Sequence, residues 1–130
     1  MSKHLAIFAP SYIEKILTGE KTVEGRFSQP KIAPFETVKK GDIIFLKESG
    51  GKVLGQAEVD NVLYYENLDG ETLGKIRREY QGDFMVDDKF WEAHAKARFA
   101  TIIFLKKPER FISSPPLRKR DRRPWVVLEN

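Results

Sequence analysis

A chain of 130 residues, 41% hydrophobic and 12% aromatic, is long enough to bury its own core and too apolar to be disordered, so one domain over 1–130 is expected. Without cysteine it has no disulfide framework and no thiolate metal site, and no apolar run approaches the ~18 residues of a membrane helix. The formal charge is +4, and all of it is local: residues 118–123 read Arg-Lys-Arg-Asp-Arg-Arg, and without them acidic and basic side chains are equal in number. A block of that kind attracts phosphate better than the same charge spread evenly.

Residues 3–8 read as a first strand. The N-terminus lacks the long apolar stretch of a secretion signal, so a cytoplasmic protein is expected. Ser11 and Glu14 have capping-box spacing, and Tyr12, Ile13, Ile16 and Leu17 share a helical face. Gly19 fits the left-handed position after the helix. A strand is predicted over 21–27, a proline-containing loop over 28–41, and strands over 42–48 and 52–65. Ser49-Gly50-Gly51 supplies the hairpin turn between the last two.

Leu73, Ile76 and Tyr80 share a face of a helix predicted over 70–80, ended by Gly82. Asp87 or Asp88 caps another over 88–97, with Phe90, Trp91 and His94 turned inward. Residues 99–105 are apolar on both faces and read as a central strand. Residues 106–124 carry four prolines and read as a long loop, and 125–128 as a closing strand. Strands and helices do not alternate. The pattern predicts an α+β fold with a mixed, largely antiparallel sheet that curls into a small β-barrel, and two or three helices packed outside it.

The most informative stretch is Ile16-Leu17-Thr18-Gly19-Glu20-Lys21-Thr22-Val23-Glu24-Gly25-Arg26. Its order of a hydrophobic pair, Gly, Lys-Thr, Glu and Arg resembles the signature of ASCH domains, small relatives of the PUA RNA-binding fold. Residues 40–47 with Ser49-Gly50-Gly51 resemble the family's strand entering a glycine turn, and 53–59 its return strand. The resemblance implies a PUA-like barrel with a cleft beside the first helix, and RNA or a nucleotide-like molecule as partner.

On a strand beginning at residue 21, Thr22, Glu24 and Arg26 share one face. Lys21 points the other way unless the turn from Gly19 is unfinished there. In one reading Glu24 and Arg26 pair on an exposed strand and Lys21 is solvated. In the other, Lys21, Thr22, Glu24 and Arg26 line the mouth of a ligand cleft. Lysine and arginine then take an anionic or carbonyl group, and Glu24 orients them or meets a base edge. Lys47 reaches the same cleft or ends its strand in solvent.

The basic block supplies a second candidate surface. Arg118, Lys119, Arg120, Arg122 and Arg123 are expected to hold a nucleic-acid backbone. Trp125 either stacks on a base or plugs the core. Neither His4 nor His94 has a partner at metal-ligand spacing, and His94 beside Trp91 reads as a satisfied buried histidine. No metal or cofactor is expected.

An RNA- or nucleotide-binding module is therefore the first reading, and a hydrolase the alternative. Some ASCH proteins that the chain resembles are amidohydrolases acting on an acylated cytosine nucleoside, with lysine where Lys21 stands and threonine where Glu24 stands. Others are reported as ribonucleases. Lys21 and Glu24 are catalytic only if the chain is an enzyme. The glutamate departs from the amidohydrolase pattern, and a carboxylate beside a lysine favours the ammonium, which suits gripping a ligand more than abstracting a proton.

Overall fold

A computed structural model describes residues 1–117 and 123–128. The elements are β1 (Lys3–Phe8), α1 (Pro10–Leu17), β2 (Val23–Ser28), β3 (Ile43–Glu48), β4 (Val53–Tyr65), α2 (Gly70–Phe84), α3 (Asp88–Ala93), β5 (Phe99–Arg110) and β6 (Trp125–Leu128). Six strands form one sheet in the order β2-β5-β4-β3-β1-β6. Only β1 and β3 run parallel; every other pairing is antiparallel. The sheet curls into a half-barrel whose edge strands β2 and β6 are not paired with each other among the described residues, so the expected α+β barrel forms but stays open along one seam.

Both faces of the sheet are covered. Under α1, Ile13 and Ile16 pack with Ala6, Ile44, Val59 and Ile103. Under α2 and α3, Leu73, Ile76, Phe84 and Trp91 pack with Ala100 and Ile102. Alternate residues of β5 serve the two cores, which is why that segment is apolar throughout.

Several boundaries differ from the sequence expectation. Ser11 and Glu14 form no capping box: Pro10 occupies the first helical turn and Ala9 is the cap, with no side-chain bond. Proline at that position costs nothing, because its missing N–H has no helical partner there. Glu14 instead accepts two bonds from Arg110 at 2.9 and 2.6 Å. α2 runs through Gly82 to Phe84, and Met85 takes the left-handed cap at φ 59°. The aromatic contacts of Phe84 with Tyr80 and Trp91 supply the packing that carries the helix past the glycine. α3 stops at Ala93. β5 continues past Pro108 to Arg110, because a bulge against Gln56–Glu58 takes up the proline.

Candidate functional site

The unpaired seam is where polar groups collect. β2 does not begin until Val23. Residues 18–22 still belong to the helix exit, where Gly19 has φ 81° and the Lys21 backbone N–H returns to the Lys15 carbonyl at 2.9 Å. Lys21 is thereby turned inward and is only 2% exposed. Its Nζ donates to the Phe84 carbonyl at 2.6 Å and the Val23 carbonyl at 2.9 Å, and pairs with Glu24 Oε1 at 3.2 Å. Three acceptors match the three N–H bonds of an ammonium group. Burial pulls the Lys21 pKa below its ordinary value, and Glu24 offsets this only in part.

Strand alternation then places Glu24 and Arg26 on one face. Arg26 Nε donates to Glu24 Oε2 at 2.8 Å, and Nη2 donates across the seam to the Ile7 carbonyl at 2.8 Å. The guanidinium lies 4.7 Å from the Phe8 ring centre and 5.2 Å from that of Trp125. Lys21, Glu24 and Arg26 thus form one chain, two cations on one carboxylate. Nη1 of Arg26 has no partner among the described residues.

This chain borders a cleft of about 320 Å³. Tyr12 of α1 stands on one side, with Phe84, Phe90 and His94 on the other. Burial, followed by the nearby Glu24 and Asp87 charges, raises the Tyr12 pKa, so its hydroxyl stays protonated at neutral pH. Pro124, the residue before β6, closes the rim, and its carbonyl accepts from the Ile7 N–H at 2.9 Å.

Other expected site residues fall elsewhere. Thr22 is exposed and outside the cleft, because it precedes β2 and does not share the Glu24–Arg26 face. Lys47 is also absent from the lining; its Nζ donates to the Glu48 carbonyl at 3.1 Å. Trp125 is 2% exposed and donates from Nε1 to His4 Nδ1 at 3.1 Å, so it plugs the core and has no free face for a base. Arg118, Lys119, Arg120 and Arg122 lie outside the described residues. Arg123 directly precedes Pro124 at the cleft rim.

His94, which the sequence reads as a satisfied buried histidine, also lines the cleft. It is half-buried at the end of α3, and Nδ1 lies 2.7 Å from the Phe90 carbonyl. A carbonyl only accepts, so Nδ1 carries the proton and Nε2 is left to act. The helical register that puts Trp91 in the core turns His94 into the cleft. Among the described residues no group of three His, Cys, Asp or Glu side chains is placed to hold a metal, and no helix is long and apolar enough to cross a membrane.

The six-stranded half-barrel with helices on both faces is PUA-like in fold. The ASCH domain family model matches residues 7–103, and the chain belongs to that family. It is similar in fold to the crystal structure of ASCH from Zymomonas mobilis, at TM-score 0.62 and 16% identity over 83% of this chain and 69% of that one. Two single-substitution variants of that protein match at TM-score 0.72 with 14% identity, over 98% and 88% of the two chains, and at 0.71 with 15%, over 99% and 91%. No curated protein sequence matches the chain.

Proposed function

We propose that this ASCH domain is a module that binds RNA or a nucleotide-like ligand in the seam cleft, with the basic segment 118–123 on the phosphates. The observation that carries this reading is the position of Pro124. It closes the rim of the cleft that Arg26 borders and directly follows the segment that holds the chain's whole charge excess. Phosphate attraction and ligand pocket are therefore joined covalently. The cleft is near the lower end of ligand-pocket sizes, matching a nucleoside and too small for a duplex. Aromatic walls suit base stacking, while Arg26 offers donors and Glu24 acceptors.

Fluorescence anisotropy with a labelled single-stranded RNA tests the reading. Affinity is expected to fall steeply as salt rises, because binding releases counterions. The double change Arg120→Glu and Arg122→Glu is expected to weaken binding to all sequences, and Arg26→Ala to weaken it further. Salt-independent binding, or a double variant as tight as the parent, would refute the backbone contact.

A hydrolase acting on a modified nucleoside or on RNA is the second reading. The observation that favours it is His94, which lines the same cleft as Glu24 and Arg26 with its Nε2 unpartnered among the described residues, and imidazole is an acid–base group of the right kind. Lys21 fits it less well as a base, since its hydrogens are already committed. Product formation from N4-acylated cytidine or RNA, lost in Glu24→Gln with the circular dichroism unchanged, would establish an enzyme. Lys21→Ala cannot decide the matter, because the same lysine holds the fold.

A further inference from the structure

Beyond the cleft, two smaller hollows adjoin β2, of about 60 and 120 Å³, and Phe27 borders all three. The 120 Å³ hollow shares both Phe27 and His94 with the cleft, and its outer side carries Ser28, Gln29 and Lys96. The His94 ring, packed 4.4 Å from Phe90 and 5.8 Å from Phe27, therefore borders both spaces. Its Nδ1 is held by the Phe90 carbonyl. Nε2 is unpartnered among the described residues and, unlike the Trp91 indole N–H and the Tyr64 hydroxyl, is not sealed from solvent.

A mononucleotide needs only the cleft; a second, polar hollow across a histidine suits a ligand that continues. We infer that the ligand is an oligonucleotide: the hollow beyond His94 takes the phosphodiester-linked neighbour of the nucleoside held in the cleft, and His94 Nε2 contacts the linking phosphate. Lys96 adds a cation on the far side. This rests on the nucleotide-binding reading and assigns it a second subsite. Because Nδ1–H is committed to Phe90, Nε2 donates to a phosphate only as the imidazolium. Among the described residues, the other charged or titratable groups around the cleft are Glu24 and Arg26 from β2, Lys21 and Tyr12 from the α1 side, Asp87 at the start of α3, and Arg123 beside the rim residue Pro124.

The test is calorimetry with the four nucleosides and the matching dinucleoside monophosphates ApA, CpC, GpG and UpU. For the base that binds best, the linked pair is expected to bind about tenfold tighter than the nucleoside, the size of one charge-assisted hydrogen bond. That ratio is expected to shrink in His94→Phe and in Lys96→Glu, the last an exposed position that leaves the core intact. Equal affinity for nucleoside and linked pair overturns the second subsite and leaves the first reading standing. So does a ratio that neither variant moves. If no nucleoside, linked pair or longer RNA binds, the nucleotide-binding reading itself fails.

Discussion

Lys21 joins α2 and β2 from inside the protein. Its ammonium holds the carbonyl end of α2 at Phe84, the first residue of β2 at Val23, and the carboxylate of Glu24. Lys21→Met keeps the length of the side chain and removes all three bonds, leaving two buried carbonyls unpaired and Glu24 to Arg26 alone. Breaking a buried ion pair from one side typically costs about 3 kcal/mol, and a loss of that order is expected in urea unfolding at neutral pH. An unchanged midpoint would mean that the lysine is solvated. The sequence named Lys21, Glu24 and Arg26 through motif spacing, and the fold brings them together. It did not reveal that Thr22 stands apart, because that depends on β2 beginning two residues later than the predicted strand. Nor did it separate the roles of the two cations. Lys21 and Arg26 look alike as charges, yet one is consumed by main-chain carbonyls and the other keeps donors at the cleft. His94 was read as core for a related reason: its neighbour Trp91 is buried, and periodicity alone cannot resolve a side chain at the border of a buried face.

Among the elements, the meeting of α2 with β2 sets the cleft floor, and Gly25 permits it. A Cβ at Gly25 would stand 2.7 Å from two atoms of the Phe84 ring and 2.9 Å from Phe27. Both rings are held by other aromatics, Phe84 by Tyr80 and Trp91, Phe27 by Phe90 and Trp91. They have little room to yield. Gly25→Ala is therefore expected to destabilise the fold by about 1–3 kcal/mol, as overpacking does, and to weaken ligand binding because Phe84 and Phe27 both border the cleft. Thermal unfolding and the RNA anisotropy assay check the two effects, and a variant matching the parent in both would place the helix farther from the strand. Element types were legible because periodicity and turn chemistry agree with burial: Ile13 and Ile16 face the core, and Gly50 takes φ 69° in its hairpin. Ends were less legible. Pro108 reads locally as a stop, but β4 extends far enough to pair beyond it once a bulge absorbs the proline. Likewise Ser11 and Glu14 have the spacing of a cap, but Pro10 had already started the helix.

At the scale of the whole molecule, an open half-barrel must be fastened at its free edge, and a buried polar network does this for β6. Trp125 Nε1 donates to His4 Nδ1 at 3.1 Å. Indole can only donate, so His4 carries its proton on Nε2 and gives it to Asp42 Oδ2 at 2.8 Å. The same carboxylate accepts from the backbone N–H groups of Ser2 and Lys39, each at 2.9 Å. Residues near 2, 40 and 125 are thus held together through one carboxylate, a contact across sequence separations that no local pattern reveals. Burial pushes the Asp42 pKa up, but the hydrogen bonds from Ser2, His4 and Lys39 outweigh it, and the group lies below its ordinary value of 3.8. A carboxyl depressed by folding contributes its full stability above the unfolded-chain value and loses it as pH falls through the lower folded one. Asp42→Asn turns one acceptor into a donor, so at least one of the three facing N–H groups is orphaned, at a cost of about 1–3 kcal/mol. Urea unfolding of parent and variant from neutral to strongly acidic pH should therefore show a gap that is constant above the unfolded-chain value and closes as pH falls through the lower folded one, where the parent carboxyl also takes up a proton. A gap that persists undiminished into acid would mean that Asp42 is worth only its shape, and that β6 is held to the sheet by backbone pairing alone.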